Sequence, residues 1–280
     1  MWMHHLSGNP LFWALVVATL LVIPACQKHQ ASTEAIEKQS PASKNPLPTL
    51  SDTTATDPHH YAEITTPLGK MVVRLYEETP KHRDNFIKLA TSGFYDGLFF
   101  HRVMSGLMIQ GGDPNSKNNN PADDGLGGPG YVIDSEILPY SFHKRGEVCA
   151  LQSAEVPGKS SGSQFYIVQG GEPIPKMILD DQEAQVRELT GLKEFRFSQE
   201  ARRHYSRAGG APWLDLQFSC FGEVVSGLST IDRLAQLETP RTLGEAGSEP
   251  ALLDRPRQIQ KARMAVKMLA EFPKDGIKVH

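Results

Sequence analysis

Apolar and polar positions alternate in short runs between Tyr61 and Met268, and Gly, Pro and Asn separate the runs. Runs of this length, rich in β-branched and aromatic residues, are typical of β-strands, and Pro67-Leu68-Gly69 predicts a hairpin between the first two. Many short strands joined by Gly- and Pro-rich loops favour a β-barrel. The predicted strands are Tyr61–Thr65, Lys70–Leu75, Leu98–Val103, Met108–Gln110, Glu147–Gln152, Gln164–Val168, Phe218–Val225 and Arg263–Met268.

Two segments show helical spacing instead. Thr79-Pro80 supplies an N-cap residue and a proline suited to the first helical position, and Phe86, Leu89 and Ala90 then form one apolar stripe. A second helix is predicted over Leu228–Ala235, directly after a glycine. We expect these helices to cover the ends of the barrel.

A longer helical pattern lies inside the β-rich region, between residues 171 and 211. Asp180–Arg207 is predicted to be one helix with a kink at Gly191, because apolar residues recur there at a spacing of three. Its basic side chains predict either a solvated surface or a surface that docks a partner. The pattern therefore indicates a helical insertion in a β domain.

The chain begins with an apolar segment, Leu11–Ile23, which is shorter than the about 20 residues that a transmembrane helix needs. Its length is typical of the apolar part of a signal peptide. Ile23-Pro24-Ala25-Cys26 resembles the lipobox of bacterial lipoproteins, which are cut before a cysteine that carries lipid. We expect residues 1–25 to be a lipoprotein signal peptide and Cys26 to be lipidated. A secretory signal cut after Ala25, with Cys26 unmodified, is the alternative.

Residues 26–60 are predicted to be a flexible tether. They contain many Pro, Ser and Thr residues and no Phe, Trp or Tyr, so they cannot bury enough apolar surface to offset the entropy of ordering. The folded domain is then residues 61–268, followed by a tail over residues 269–280. This organisation predicts an extracytoplasmic protein, attached to a membrane of the bacterial cell envelope through Cys26 and facing the periplasm in a Gram-negative cell.

Composition excludes several other classes. A hydrophobic content of 39% and a charged content of 22% are those of a globular protein. The net charge of −3 gives no general attraction to nucleic acid, so no nucleic-acid partner is expected. The histidines show no metal-ligand spacing. Cys149 and Cys220 lie in strand-like runs and are expected to be buried free thiols, with a disulfide bond between them as the alternative in an oxidising compartment.

Three blocks of sequence are more specific than these patterns. The blocks are Phe100-His101-Arg102-Val103 with Gly106–Asp113, then Ser161–Ile167, then Trp213-Leu214-Asp215 with Phe221–Val224. In this order along the chain they resemble the three signatures of the cyclophilins, which are peptidyl-prolyl cis/trans isomerases. The resemblance covers residues 61–170 and 212–268 and leaves residues 171–211 as an insertion.

The resemblance implies a mainly β fold, a closed eight-stranded antiparallel barrel capped by two helices and here extended by the helical insertion. It also implies rotation of X-Pro bonds in proline-containing polypeptide clients. Rotation is slow because amide resonance must be broken, with a barrier of about 18–20 kcal/mol. No bond is made or cleaved, so the reaction needs no nucleophile, and neither a cofactor nor a metal is expected.

The resemblance also assigns the site residues. Arg102 is the candidate catalytic residue, because a fixed guanidinium can donate a hydrogen bond to the prolyl nitrogen of the twisted bond. Gln110 and His101 are the other catalytic candidates, since His101 lies next to Arg102 in the chain and Gln110, with Gln164, is expected to orient Arg102 and the substrate backbone. The expected substrate-binding residues are Leu107, Met108, Tyr166 and Leu214 around the prolyl ring, Gln152 and Ser153 along the peptide, and Trp213 and Phe218 at the rim.

Several residues depart from the family pattern. Leu107 and Tyr166 stand where the family has Phe, and Phe218 occupies a position that is often His. These changes leave the catalytic rate open. One hypothesis is a working isomerase that assists the folding of exported proteins, and the other is a catalytically weak peptide-binding or chaperone module that uses the groove or the insertion. Trp213 is similar to the rim residue of drug-binding cyclophilins, so a cyclosporin-type ligand is also expected.

Overall fold

The computed structural model describes residues 59–118, 120–245 and 252–273. The predicted signal peptide, the lipidation site Cys26 and nearly all of the predicted tether lie outside these ranges, as do residues 274–280 of the predicted tail. No helix within the described ranges is long and apolar enough to cross a membrane.

Nine antiparallel strands form one sheet. They are β1 (His60–Thr66), β2 (Gly69–Leu75), β3 (Arg102–Met104), β4 (Met108–Gly111), β5 (Val132–Asp134), β6 (Glu147–Gln152), β7 (Lys159–Val168), β8 (Cys220–Ser226) and β9 (Ala265–Leu269). Their order across the sheet is β3-β4-β7-β6-β8-β2-β1-β9, and β5 pairs with β7 beside this path. The mainly β prediction is confirmed, and β5 is a strand that the sequence pattern did not indicate.

The sheet is an open, curled half-barrel, so the predicted closed eight-stranded barrel is wrong. Within the described ranges the edge strands β3 and β9 do not pair with each other. Irregular backbone joins the two edges instead, because the Phe100 N–H donates to the Ala262 carbonyl at 2.9 Å and the Met264 N–H to the Leu98 carbonyl at 2.7 Å. The first residues of the predicted strand Leu98–Val103 belong to this seam, which is why strand β3 begins only at Arg102.

The main core lies between the inner face of the sheet and the helices α1 (Pro80–Thr91) and α4 (Leu228–Ala235). Side chains alternate between the two faces of a strand. On β7, Phe165 and Ile167 therefore enter the core, whereas Tyr166 lies on the opposite face. The Phe165 ring contacts the ring of Phe86 on α1 at a centroid distance of 5.7 Å. This aromatic packing fixes which residues the outer face presents.

The insertion contains two helices, so the prediction of one kinked helix over Asp180–Arg207 is wrong. Helix α2 (Lys176–Thr190) ends at Gly191, which adopts a left-handed conformation with φ 74°. Helix α3 (Gln199–Ala208) begins after Ser198, whose hydroxyl accepts a hydrogen bond from the Ala201 N–H. Glycine tolerates positive φ, and serine is a favoured N-cap, so a helix end and a new start replace the kink.

A second, small core joins the two insertion helices. Glu183 of α2 is buried and accepts hydrogen bonds from the Arg202 Nη2 atom of α3 at 2.5 Å and from the Phe197 N–H at 2.9 Å. Two of the basic residues that suggested a solvated or docking surface, Arg196 and Arg202, are thus paired with Glu183. The apolar part of this core consists of Leu179, Val186, Phe197, Ala201 and Tyr205.

Candidate active site

The candidate residues form a row across the outer face of the sheet. Arg102 on β3 lies opposite Gln110 on β4, and Gln110 lies opposite Tyr166 on β7. The row continues from Tyr166 to Cys149 on β6 and from Cys149 to Cys220 on β8. Because directly opposed residues on one face are near neighbours, three predicted site residues, Arg102, Gln110 and Tyr166, come together here.

Arg102 lies beside a buried carboxylate that the sequence analysis did not identify. Its Nε atom is 3.4 Å from Oδ2 of Asp254, and the Asp254 carboxylate is only 2% exposed. Arg241 binds the other oxygen of Asp254 through Nε at 2.6 Å. Burial lowers the pKa of the Arg102 guanidinium and Asp254 opposes that shift, yet arginine remains charged at neutral pH because its ordinary pKa is above 12. Arg102 is therefore an oriented cation with most of its surface removed from water.

Gln110 and Gln164 form an amide chain next to this cation. The Gln110 Nε2 atom donates to the Gln164 Oε1 atom at 3.1 Å, and the Gln164 Nε2 atom donates to the carbonyls of Gly125 and Gly127 at 2.9 and 2.8 Å. Both side chains are buried. The described contacts thus connect Gln110 to a surface loop rather than to Arg102, although Gln110 is the cross-strand neighbour of Arg102.

His101 is a neutral residue of the same group. It is buried, and its Nε2 atom lies 3.4 Å from Nε2 of Gln110. Burial, assisted by the charge of Arg102, lowers the pKa of His101 to about 4. An unprotonated Nε2 atom can accept a hydrogen bond from Gln110, so His101 supports the amide chain without adding a second charge beside Arg102.

The predicted apolar residues are gathered beside this row, and each is at most 5% exposed. Tyr166 and Phe218 contact each other edge to face, with ring centroids 5.5 Å apart. Little of this apolar surface is accessible to water. The residues are Leu107, Met108, Tyr166, Trp213, Leu214 and Phe218.

Gln152 and Ser153 lie at the end of β6 and are half-buried. The Gln152 Nε2 atom donates to the Gln217 carbonyl at 2.7 Å. The Ser153 N–H donates to the Lys159 carbonyl at 2.9 Å, so this N–H already has a partner within the chain. An extended peptide bound at this position would have to pair with groups other than the Ser153 N–H.

Comparison with known proteins decides what this surface belongs to. The family model described as cyclophilin type peptidyl-prolyl cis-trans isomerase/CLD matches residues 61–255. The chain belongs to the cyclophilin family. The family and the enzyme class that the sequence motifs indicated, peptidyl-prolyl cis-trans isomerase, are thereby confirmed.

Relatives of this cyclophilin occur in staphylococci. A putative peptidyl-prolyl cis-trans isomerase from Staphylococcus epidermidis is 33% identical over 174 residues, which is 61% of this chain and 78% of that protein. A protein of the same description from Staphylococcus aureus is similar to the same extent. The crystal structure of a cyclophilin type isomerase from Cryptosporidium parvum has a TM-score of 0.50 and 21% identity, and covers 77% of this chain and 99% of its own. That likeness concerns the fold alone.

This cyclophilin contains a further buried network behind the apolar residues. The His143 Nδ1 atom is 2.9 Å from Oδ1 of Asp215, and its Nε2 atom is 2.9 Å from the Tyr166 hydroxyl. The Tyr205 hydroxyl of helix α3 donates to both oxygens of Asp215 at 2.9 Å. The insertion is therefore linked by hydrogen bonds to the back of the candidate prolyl pocket.

The charge state of His143 follows from these neighbours. Burial alone would lower its pKa, but Cys220 and the Asp215 carboxylate together raise the pKa to about 10. The imidazole is thus protonated at neutral pH and can donate to the Tyr166 hydroxyl through Nε2. His143 and Asp215 are 72 residues apart, and no local motif connects them, so no sequence pattern indicates this pair.

Proposed function

We propose that Arg102 is the residue that lowers the barrier to prolyl rotation. In the twisted state the amide loses conjugation and the prolyl nitrogen gains a lone pair that can accept a hydrogen bond. A catalyst must favour this state over both planar forms. The single observation that carries the proposal is the position of Arg102, oriented by Asp254 at the end of a row that also contains Gln110 and Tyr166.

In this proposal the donors of Arg102 are divided between protein and substrate. Its Nε atom faces Asp254, and we assign the Nη1 and Nη2 groups to the prolyl nitrogen and the preceding carbonyl. Met108 and Tyr166 provide the apolar surface for the prolyl ring. A preorganised charged donor in a dry site stabilises a developing charge distribution without reorganising solvent. No covalent step and no proton transfer are needed.

A protease-coupled or NMR exchange assay on a proline-containing peptide tests this assignment. Arg102→Ala should reduce kcat/KM by about 10²–10³-fold, the effect of removing one preorganised donor. Arg102→Lys retains the charge but not the planar fork, and should remain well below the wild-type rate. Arg263→Ala is the matched control, because Arg263 is exposed and stacks on Phe99 with its guanidinium carbon 5.5 Å from the ring centroid. Equal rates for Arg102→Ala and the wild type would refute the assignment.

We further propose that the isomerase is a lipid-tethered protein of the bacterial cell envelope whose clients are exported proteins. The support is the order of features along the sequence: an apolar segment, a lipobox-like Cys26, a polar tether and then the catalytic domain. The test is intact-mass analysis of the membrane-bound protein, compared with Cys26→Ala. A mature chain that starts at Cys26 with added lipid mass supports the proposal, and an unmodified Cys26 on a membrane-free protein contradicts it.

A second candidate function is a peptide-binding or chaperone module with weak catalysis. The shielding of the six apolar site residues favours it, as do the exposed side chains of Met177 and Leu192 in the insertion. If it is correct, suppression of client aggregation should survive Arg102→Ala and fall in the double variant Met177→Ser, Leu192→Ser. If neither change affects aggregation, this function is excluded. Calorimetry with cyclosporin then reports whether the groove beside Trp213 opens to a large apolar ligand.

A further inference from the structure

Two cysteines lie at the far end of the site row and play no part in the proposed catalysis. Cys149 on β6 is directly opposite Cys220 on β8, and their Sγ atoms are 2.7 Å apart. Both are free and buried, as the sequence analysis expected. The chain between them is long, because they are separated by 71 positions. Strand pairing alone therefore brings together two thiols from distant parts of the chain.

A shared metal ion is the first chemistry to consider. The ligand atoms of His143, Cys149 and Cys220 lie within 4.8 Å of one another, and Asp215 binds the other nitrogen of His143. Two thiolates on one tetrahedral zinc, each about 2.3 Å from the metal, would be separated by about 3.8 Å. The observed separation of 2.7 Å is much shorter, so the sulfur atoms are placed to react with each other rather than to share an ion.

The surroundings of Cys220 favour the nucleophilic form of its sulfur. Its Sγ atom is 3.8 Å from the Nε2 atom of His143. Burial alone would raise the pKa of the Cys220 thiol, but the contact with Cys149 and the charge of His143 lower that pKa well below its usual range. The thiolate is the species that attacks a disulfide. Cys220 is accordingly the attacking residue and Cys149 the resolving residue.

We propose that Cys149 and Cys220 form a reversible disulfide bond on exposure to a low-molecular-weight disulfide. The Cys220 thiolate attacks one sulfur of the oxidant, whose S–S bond breaks and releases one thiolate. Cys149 then loses its proton and attacks the Cys220 sulfur, which releases the second thiolate. The two protein thiols lose two protons and two electrons, and one oxidant molecule becomes two thiols.

This bond would be formed directly behind the candidate prolyl pocket. The Cys149 thiol is a hydrogen-bond partner of Tyr166, so oxidation removes a contact of that side chain. The bond would also join β6 to β8 and close a long loop, which restricts the unfolded chain. Stability and site geometry would then both respond to the redox state.

The test uses the full chain with Cys26→Ser, so that only the two strand cysteines remain. The reduced, unfolded protein is refolded either in a mixture of oxidised and reduced glutathione or in dithiothreitol. Refolding makes the outcome independent of oxidant access to the folded core. We expect the glutathione sample to lose two hydrogen atoms in mass, to yield a peptide linking Cys149 to Cys220, and to melt about 10 °C higher. Dithiothreitol should reverse all three changes.

The matched control is Cys149→Ser in the same background, which should show neither the mass loss nor the thermal shift. The proposal is overturned if the glutathione-refolded native protein still has two alkylatable thiols, or if each cysteine retains a separate glutathione adduct. It is also overturned if the purified protein contains one zinc ion per chain that protects both thiols. The thiol count on the parent protein decides the matter even if the serine variant does not fold.

Discussion

Two buried aspartates flank the site of this cyclophilin, and they stabilise different kinds of partner. Asp254 pairs with the guanidinium groups of Arg102 and Arg241, and the exposed fractions of these arginine side chains are 16% and 39%. Asp215 pairs with His143 and Tyr205, which are essentially inaccessible to water. The first aspartate orients the cation that we propose contacts the substrate, whereas the second connects Tyr166, through His143, to Tyr205 of the insertion. We therefore expect substitution of Asp254 to change the position of Arg102, and substitution of Asp215 to change the stability of the fold.

The largest expected effect is the loss of unfolding free energy when Asp215 is substituted. Asp215→Asn removes the carboxylate that binds the protonated His143, and removing one partner of a buried ion pair typically costs about 3–5 kcal/mol of unfolding free energy. Urea denaturation at pH 7 measures it. Tyr205→Phe is the control, because it removes only the hydroxyl that donates to Asp215 and should cost about 1 kcal/mol. If both variants lose the same small amount, Asp215 is not the centre of the network.

The next largest effect is a loss of stability at acidic pH, and it arises from His101, the neighbour of Arg102 in the chain. Because burial lowers the pKa of His101 to about 4, the unfolded chain binds a proton between about pH 6.5 and pH 4 that the folded chain does not. Stability should therefore decrease as the pH falls through this window, by about 2 kcal/mol between pH 7 and pH 5 from His101 alone. His101→Asn should remove that share of the slope in urea titrations. An unchanged slope would show that His101 titrates normally.

A smaller effect distinguishes positioning from folding. Asp254→Asn removes the charge beside Arg102 but retains an amide oxygen that can accept its N–H, so kcat should fall about tenfold through misplacement of the cation. KM should change little. Asp232→Asn on helix α4 is the control, because it breaks the ion pair of Asp232 with Arg145 and should leave the rate unchanged. A rise in KM at constant kcat would instead assign Asp254 to substrate binding.

The smallest expected effect is a change in stability on substitution of Leu216, which follows Asp215 in the chain. Leu216 has φ 62°, a left-handed conformation that costs a residue with a β-carbon about 1–2 kcal/mol. Leu216→Gly should relieve this strain and raise the unfolding free energy by about 1 kcal/mol at most, since glycine also adds entropy to the unfolded chain. A clear loss of stability would indicate that the Leu216 side chain contributes more through packing than its backbone costs.

The site row was predictable because it follows local sequence. The alternation on β4 and β7 assigns Gln110 and Tyr166 to the face opposite Ile109 and Phe165, and the motif blocks assign the same residues to the substrate side. The helix boundary at Gly191 was also readable, since a glycine that ends a helix and a serine that starts the next are local signals. The apolar spacing continues across them, however, and this continuity favours one kinked helix.

The two aspartate networks were not predictable in this way. Asp254 meets Arg102 across 152 positions, and Asp215 meets His143 across 72. Neither pairing produces a periodic pattern in the sequence, because each depends on how distant loops pack against the sheet. The open sheet was unpredictable for the same reason. The number of strands does not determine how the two edges of the sheet are joined. Here irregular backbone at residues 98–100 and 262–264 joins them instead of a strand ladder.

The seam between the two sheet edges has a consequence for the order in which the fold forms during synthesis. Strand β1 pairs with β2, its immediate neighbour, and with β9, some 200 positions downstream. Asp254, whose carboxylate lies beside Arg102, follows Arg102 by 152 positions in the chain. A chain that is still being synthesised therefore lacks both the last strand and the carboxylate that faces Arg102. Because contacts this distant form slowly, we expect the β1–β9 ladder and the pairing of Arg102 with Asp254 to form only after residue 269 has been released.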